Sequence, residues 1–292
     1  MRASSRQYIA FGFSFLLLAA CFHRPLLDAL RLALHSDEYT QILLVFPISA
    51  ALIVVEWTSL TTSPTWDFRS GTAVVAAGLL MALGSHLWLT SDIQLFASVL
   101  ALVLLWIGAF VFCFGLGTAN SILFPLCFLL LMAPFPSLVL SRLVHWLQQG
   151  SAFATWLLLS AANVPTVRDG VQLMIPGLTI EVATECSSIR SSLMLVVTTM
   201  VLAHLLLRTR WRKILVVLFA IPISVAKNGL RIFTIAMLGT RVDRGFLSGR
   251  LHHEGGIVFF LIALVAVLLV ITFFRRRETA VRLAGGLSPV RP

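Results

Sequence analysis

Residues 255–277 read GGIVFFLIALVAVLLVITFFRRR, twenty positions without a charge closed by three arginines. A bilayer core about 30 Å thick needs roughly 20 apolar residues of helix, and inside it the backbone must satisfy its polar groups within the helix itself. This stretch is therefore read as a membrane span with cations at one mouth. The same ruler gives about eight spans, near 8–23, 40–58, 71–90, 93–115, 119–140, 187–207, 213–239 and 255–274. Composition agrees: of 292 residues 59% are hydrophobic and 12% charged, and a mean hydropathy of +0.96 is far above that of a soluble globular domain. The expected fold is an all-α polytopic membrane protein with about eight transmembrane helices.

The net charge of +10 is concentrated in short clusters beside apolar runs, RTRWRK at 208–213 and RRR at 275–277. Such clusters report topology, because Lys and Arg accumulate in cytoplasmic loops; they argue against a nucleic-acid partner. With Arg2 and Arg6 ahead of the first span, three cation signals agree on cytoplasmic N- and C-termini and leave residues 141–186 and 240–254 outside the cytoplasm. The first span is kept as an anchor, since no A-x-A-like cleavage site follows it and CFHRPLLDALRLALH continues amphipathically. The expected organisation is 1–140 as N-terminal membrane helices, 141–274 as a membrane region of an interfacial segment, a Cys186 loop and the last three helices, and 275–292 as a basic cytoplasmic tail.

Between the fifth and sixth spans the chain has an order of its own. Pro134 and Pro136 end or kink the fifth span. The following SRLVHWLQQGSAFATWLLLSAANVP mixes Arg142, His145, Gln148 and Gln149 with Leu, Val and Trp, which fits an interfacial amphipathic helix, its rival being a further short or re-entrant span. VRDGVQLMIPGLTIEV then shows β-branched runs broken by Asp-Gly and Pro-Gly, the pattern of a hairpin or tight loop. There is no internal repeat.

Three polar groups map to one side of this scheme. Cys186, in TECSSIRSS, stands at about the N-cap of the sixth span, where helix dipole and free N–H groups favour a thiolate. Arg190 lies one turn on, and Ser187 and Ser188 are candidate caps. Arg231 is a charge within the seventh span, and such charges are normally paired or functional. Asn228 shares its helix face, and Lys227 beside it is read as snorkelling to the interface. The rival readings of Arg231 are a snorkelling anchor and an ion pair with Glu181 or Glu185. His252 and His253, with Glu254, open the last span, and imidazole suits proton transfer near neutral pH. Together they form a chemistry: histidine activates the thiol and protonates a leaving amine, while arginine stabilises the oxyanion. His23, His35, His86, His145 and His204 are read as hydrated interfacial residues. Cys21, Cys113 and Cys127 fall in apolar runs and are expected to be small buried hydrophobes. With no CxxC pair and no Cys/His metal spacing, no metal site is expected.

On these residues the chain resembles the exosortase/archaeosortase family of polytopic membrane cysteine transpeptidases or proteases. ECSSIRSS with Cys186 is similar to the family's A-C-S-G-x-x-S segment, NGLR with Asn228 and Arg231 to its N-x-x-R segment, and HHEGGIVFF to its H-x-x-x-G segment. His252 with Gly256 fits the last pattern and is preferred to His253. Two positions depart: Ser188 stands at the usual glycine and Glu185 at the usual small residue before cysteine. The likeness runs from PFP at 134–136 to about residue 260, while the N-terminal spans match only in hydropathy.

The resemblance implies cleavage of secreted proteins carrying a PEP-CTERM-like C-terminal signal: a short motif, an apolar helix and a basic tail. It implies a thioester at Cys186 outside the cytoplasm of a bacterial inner membrane, transfer to a carrier nucleophile or water, and no cofactor. Beyond those substrates the expected partner is membrane lipid. Two rivals stand beside it, a transporter or flippase that binds an anion through Arg231 and the histidines, and a non-catalytic assembly factor for exopolysaccharide export. Inverted hydropathy repeats, the mark of many transporters, are not seen.

Overall fold

The computed structural model describes residues 4–58, 63–88, 91–182, 189–243 and 256–285. Contacts group the chain into two compact units, Met1–Leu140 and Ser141–Pro292.

In the first unit, α1 (Ser5–Cys21) starts from a reciprocal cap in which Gln7 N–H donates to Ser4 Oγ and Ser4 N–H to Gln7 Oε1. The buried Gln7 amide also donates to the Cys113 carbonyl at 2.9 Å. At Phe22 the chain turns by 73° into α2 (His23–His35), so the expected first span is one arm of a bent pair. After α3 (Ile42–Trp57) come α4 (Phe68–Trp88) and α5 (Ser91–Phe114), which approach closely because glycines line their contact. A Cβ added at Gly71 would lie 2.5 Å from Phe112 Cα, and one at Gly108 would lie 2.9 Å from the Val75 nitrogen. α5 is the central helix, with 61% of its span buried against 17–33% for the other long apolar helices. Phe110 and Phe114 on it pack edge-on against Phe11 and Trp57.

The fifth expected span, 119–140, is not one helix. It divides into α6 (Leu116–Ser121), α7 (Leu123–Phe128) and a 3-10 turn (Leu129–Met132). Gly115 enters at φ 85°, Ile122 leaves helical geometry, and Pro134 and Pro136 withhold the N–H groups that would continue the ladder. The chain resumes as α8 (Ser137–Ala161). One face of α8 buries Leu147, Ala152 and Leu159, and the other exposes Trp146, Phe153 and Leu157. Arg142 and His145 are exposed on the first half of this helix, as in an interfacial helix, whereas the apolar second half and the 98° bend from Leu123–Met132 suit a broken span or re-entrant loop. Among the described residues six helices are long and apolar enough to cross a membrane, or up to eight if each of two broken pairs counts as one span.

The second unit continues with a three-stranded antiparallel sheet, β1 (Val167–Asp169), β2 (Gln172–Ile175) and β3 (Leu178–Glu181). Its turns fall at the expected Asp-Gly and Pro-Gly pairs, where Gly170 and Gly177 take φ of 58° and 79°. Leu173 and Val182 pack with Ala152 of α8 and Ile232 of α10 (Arg210–Arg241), so the sheet sits on a helical platform. α9 (Ile189–Leu206), α10 and α11 (Gly256–Gly285) pack through Leu195, Ala203, Val216, Ala263, Val267 and Ile271. α11 continues through the 275–277 arginines, past its expected end.

Candidate active site

Two sets of contacts define the ends of the α9–α11 bundle. At one end Glu278 of α11 accepts from the Arg208 and Thr209 backbone N–H groups at 3.1 and 3.0 Å, and Arg212 reaches it at 3.8 Å. There too Lys213 donates to the His204 carbonyl at 3.2 Å. This end gathers the basic clusters. At the other end Lys227 of α10 donates to Ser191 Oγ in the first turn of α9. α9 and α10 are therefore antiparallel, and the start of α9, the last turns of α10 and the start of α11 share one end.

Three charged or amide groups of α10 are buried there: Lys227 at 5% exposure, Asn228 at 1% and Arg231 at 8%. Lys227, expected to snorkel, turns inward to α9 because a hydroxyl acceptor stands opposite it. Asn228 Nδ2 donates to Ser151 Oγ of α8 at 2.9 Å. Just above, Thr155 Oγ1 donates to the Gly229 carbonyl at 3.3 Å. The helices come this close because Gly229 faces Ala154, where an added Cβ would sit 2.5 Å from the alanine methyl. Arg231 lies four residues, about 6 Å of helix rise, beyond Lys227. It thus lies beyond the Lys227–Ser191 contact, toward the end at which α9 begins.

That entry is held from the other side. Gln148 Nε2 of α8 donates to the Val182 carbonyl at 3.0 Å, and Val182 N–H donates to Val171 O at 3.0 Å. Val182 and Ile189, both buried, bracket the segment that contains Cys186. Cys186 itself, with Glu185, Ser187 and Ser188, lies outside the described residues, as do His252, His253 and Glu254. Ile232 packs with Val182, so the stretch of α10 that carries Asn228 and Arg231 adjoins one flank of the Cys186 segment. Arg190, exposed in the first turn of α9, belongs to the same end.

Gln148, Ser151, Ser191 and the inward role of Lys227 were not identified from the sequence as parts of this end. One signal was present: Gly150 and Ala154 have the four-residue spacing of small residues that lets membrane helices approach. The remaining histidines hold local contacts, His145 with Gln149 and His86 with Gln94 for example. Of the other cysteines only Cys113 is buried; Cys21 and Cys127 are exposed on their helices, contrary to expectation. Among the described residues no group of His, Cys, Asp and Glu is arranged to hold a metal ion.

No curated protein and no solved structure matches the chain. The model of the transmembrane exosortase (EpsH) family matches residues 32–269, which is most of the chain and includes Lys227, Asn228 and Arg231. This polytopic membrane protein therefore belongs to the transmembrane exosortase family, whose membership supports a membrane transpeptidase or protease role.

Proposed function

We propose that this protein is a cysteine transpeptidase or protease that cleaves C-terminal sorting signals from secreted, membrane-anchored proteins, with Cys186 as nucleophile. The observation that carries it is Arg231, a buried cation one turn beyond the Lys227–Ser191 contact, toward the end at which α9 begins. Ile189, the first described residue of that helix, follows Cys186 by three positions. A buried guanidinium at the mouth of a helix is suited to a charge that appears only during reaction.

In this reading the Cys186 thiolate attacks the scissile carbonyl carbon, and Arg231 donates to the oxygen as it becomes an oxyanion. His252, with His253 as the alternative, gives a proton to the amine as the C–N bond breaks, leaving a thioester on Cys186. Water or a carrier nucleophile then attacks the thioester carbon, giving its proton to the histidine, and the thiolate departs. Arg190 and Asn228 support the site, the first as a nearby cation and the second by fixing α10 against α8. Cleavage takes place outside the cytoplasm of a bacterial inner membrane, with both chain termini inside, as the cation clusters direct. Family membership favours this chemistry over an anion transporter or a non-catalytic export factor.

The test is co-expression with a tagged secreted protein that ends in a short motif, an apolar helix and an arginine-rich tail. The native enzyme should shorten the substrate and Cys186→Ala should leave it whole. Full processing by Cys186→Ala would end the cysteine mechanism.

A further inference from the structure

The two edges of the small sheet differ. On the β1 side the Arg168 guanidinium folds over to α8, donating to Gln149 Oε1 at 2.9 Å and lying 5.6 Å from the Phe153 ring centroid. On the β3 side, among the described residues, nothing comparable closes the edge. The register pairs Ile175 with Leu178 and Leu173 with Ile180, and Val182 N–H continues the ladder to Val171 O. In an antiparallel pair the bonded positions alternate, so the N–H and C=O groups of Thr179 and Glu181 point away from β2. Both residues are exposed, and among the described residues no backbone group pairs with them on that side. Exposed edges of this kind are templates for an added strand.

Two neighbours indicate what the edge receives. A cleft of about 410 Å³ opens at the start of β3, between its turn and the end of α10, lined by Pro176, Gly177, Leu178, Thr240, Arg241 and Asp243. That volume accommodates a few side chains. At its other end β3 runs through Val182 toward the Cys186 segment and then α9.

We infer that β3 binds the extended recognition segment of the substrate as a fourth strand, running parallel to β3, with the residues ahead of the paired stretch seated in the cleft. The inference rests on the proposed peptidase function. A substrate whose recognition motif precedes its own membrane helix has the same order as β3 followed by α9. Pairing in that direction carries the peptide from the cleft along β3 toward the nucleophile, and main-chain bonds to Thr179 and Glu181 hold it whatever its side chains.

The experiment uses the full-length protein in membranes with the tagged sorting-signal substrate described above. Thr179→Pro removes one outward N–H without touching the bonds to β2, so KM should rise about tenfold, the worth of one lost hydrogen bond, with kcat retained. In a Cys186→Ala background, p-benzoylphenylalanine in place of Glu181 should cross-link the uncleaved substrate on irradiation. This second measurement stands if the proline variant is not inserted. An unchanged KM for a normally inserted Thr179→Pro, or no cross-link at position 181 while native protein processes the substrate through Cys186, overturns strand addition alone. Processing that does not need Cys186 overturns the peptidase reading on which it rests.

Discussion

Lys227 of α10 donates a hydrogen bond to Ser191 of α9, and this contact sets the height of Arg231 against the mouth of α9. A buried ammonium is costly unless it is hydrogen-bonded, so the pair fixes how far the two helices can slide. Lys227→Met keeps the stem and removes the donor. It should leave membrane abundance near normal and slow substrate processing by about 10²-fold, the order expected when a site is displaced by about 1 Å. Normal turnover in Lys227→Met would show that the contact is only packing.

Arg231 separates geometry from charge. Lysine retains the cation but loses the planar fork, so Arg231→Lys should insert normally and reduce turnover by around 10²-fold or more, as loss of other oxyanion donors does. Arg231→Ala should be worse. Near-native processing by Arg231→Ala, with the protein present in membranes, would leave the guanidinium a structural role only.

His252 and His253 are neighbours, so on a helix they point about 100° apart and one is expected to serve Cys186. His252→Ala should lose processing at every pH from 5 to 9, about the range over which imidazole titrates, whereas His253→Ala should remain active. A dead His253→Ala with an active His252→Ala moves the assignment by one residue. Normal processing by both single variants removes imidazole from the mechanism.

Gly229 and Gly71 hold their helix pairs at close approach. A methyl at Gly229 would press on Ala154, and one at Gly71 on the Phe112 backbone, which cannot swing aside. Gly229→Ala and Gly71→Ala should each cost about 1–3 kcal/mol of stability, seen as a lower thermal midpoint in detergent. Gly84→Ala, where nothing lies within 4 Å, should not lower it. Equal midpoints for all three variants would contradict the close packing.

Topology is checked by a cysteine placed near Arg244. If residues 240–254 face away from the cytoplasm, a membrane-impermeant thiol reagent should label it in cells with a permeabilised outer membrane. Labelling only after the inner membrane is opened would invert the arrangement.

The 255–274 run announced a membrane helix by itself, because lipid offers no partner to a backbone N–H and twenty uncharged residues have few other places to go. Asp-Gly and Pro-Gly likewise announced the turns of the sheet, since a positive φ is cheap at glycine. The motif residues Cys186, Asn228, Arg231 and His252 were legible as residue types at a spacing. What hydropathy misread was continuity. The 119–140 stretch is apolar enough for a span, yet a break at Ile122 and two prolines interrupt its backbone, and a sum of side-chain hydropathies does not register backbone breaks.

Tertiary structure alone decided where the polar groups turn. Nothing within the α10 sequence distinguishes a lysine reaching for the interface from one reaching for a hydroxyl; Ser191 stands 36 positions earlier in the chain and meets Lys227 only because α9 and α10 pack antiparallel. Asn228 depends in the same way on Ser151, 77 positions away. Hydropathy and short motifs are properties of neighbours in the chain, whereas burial of a charge depends on partners that packing brings together.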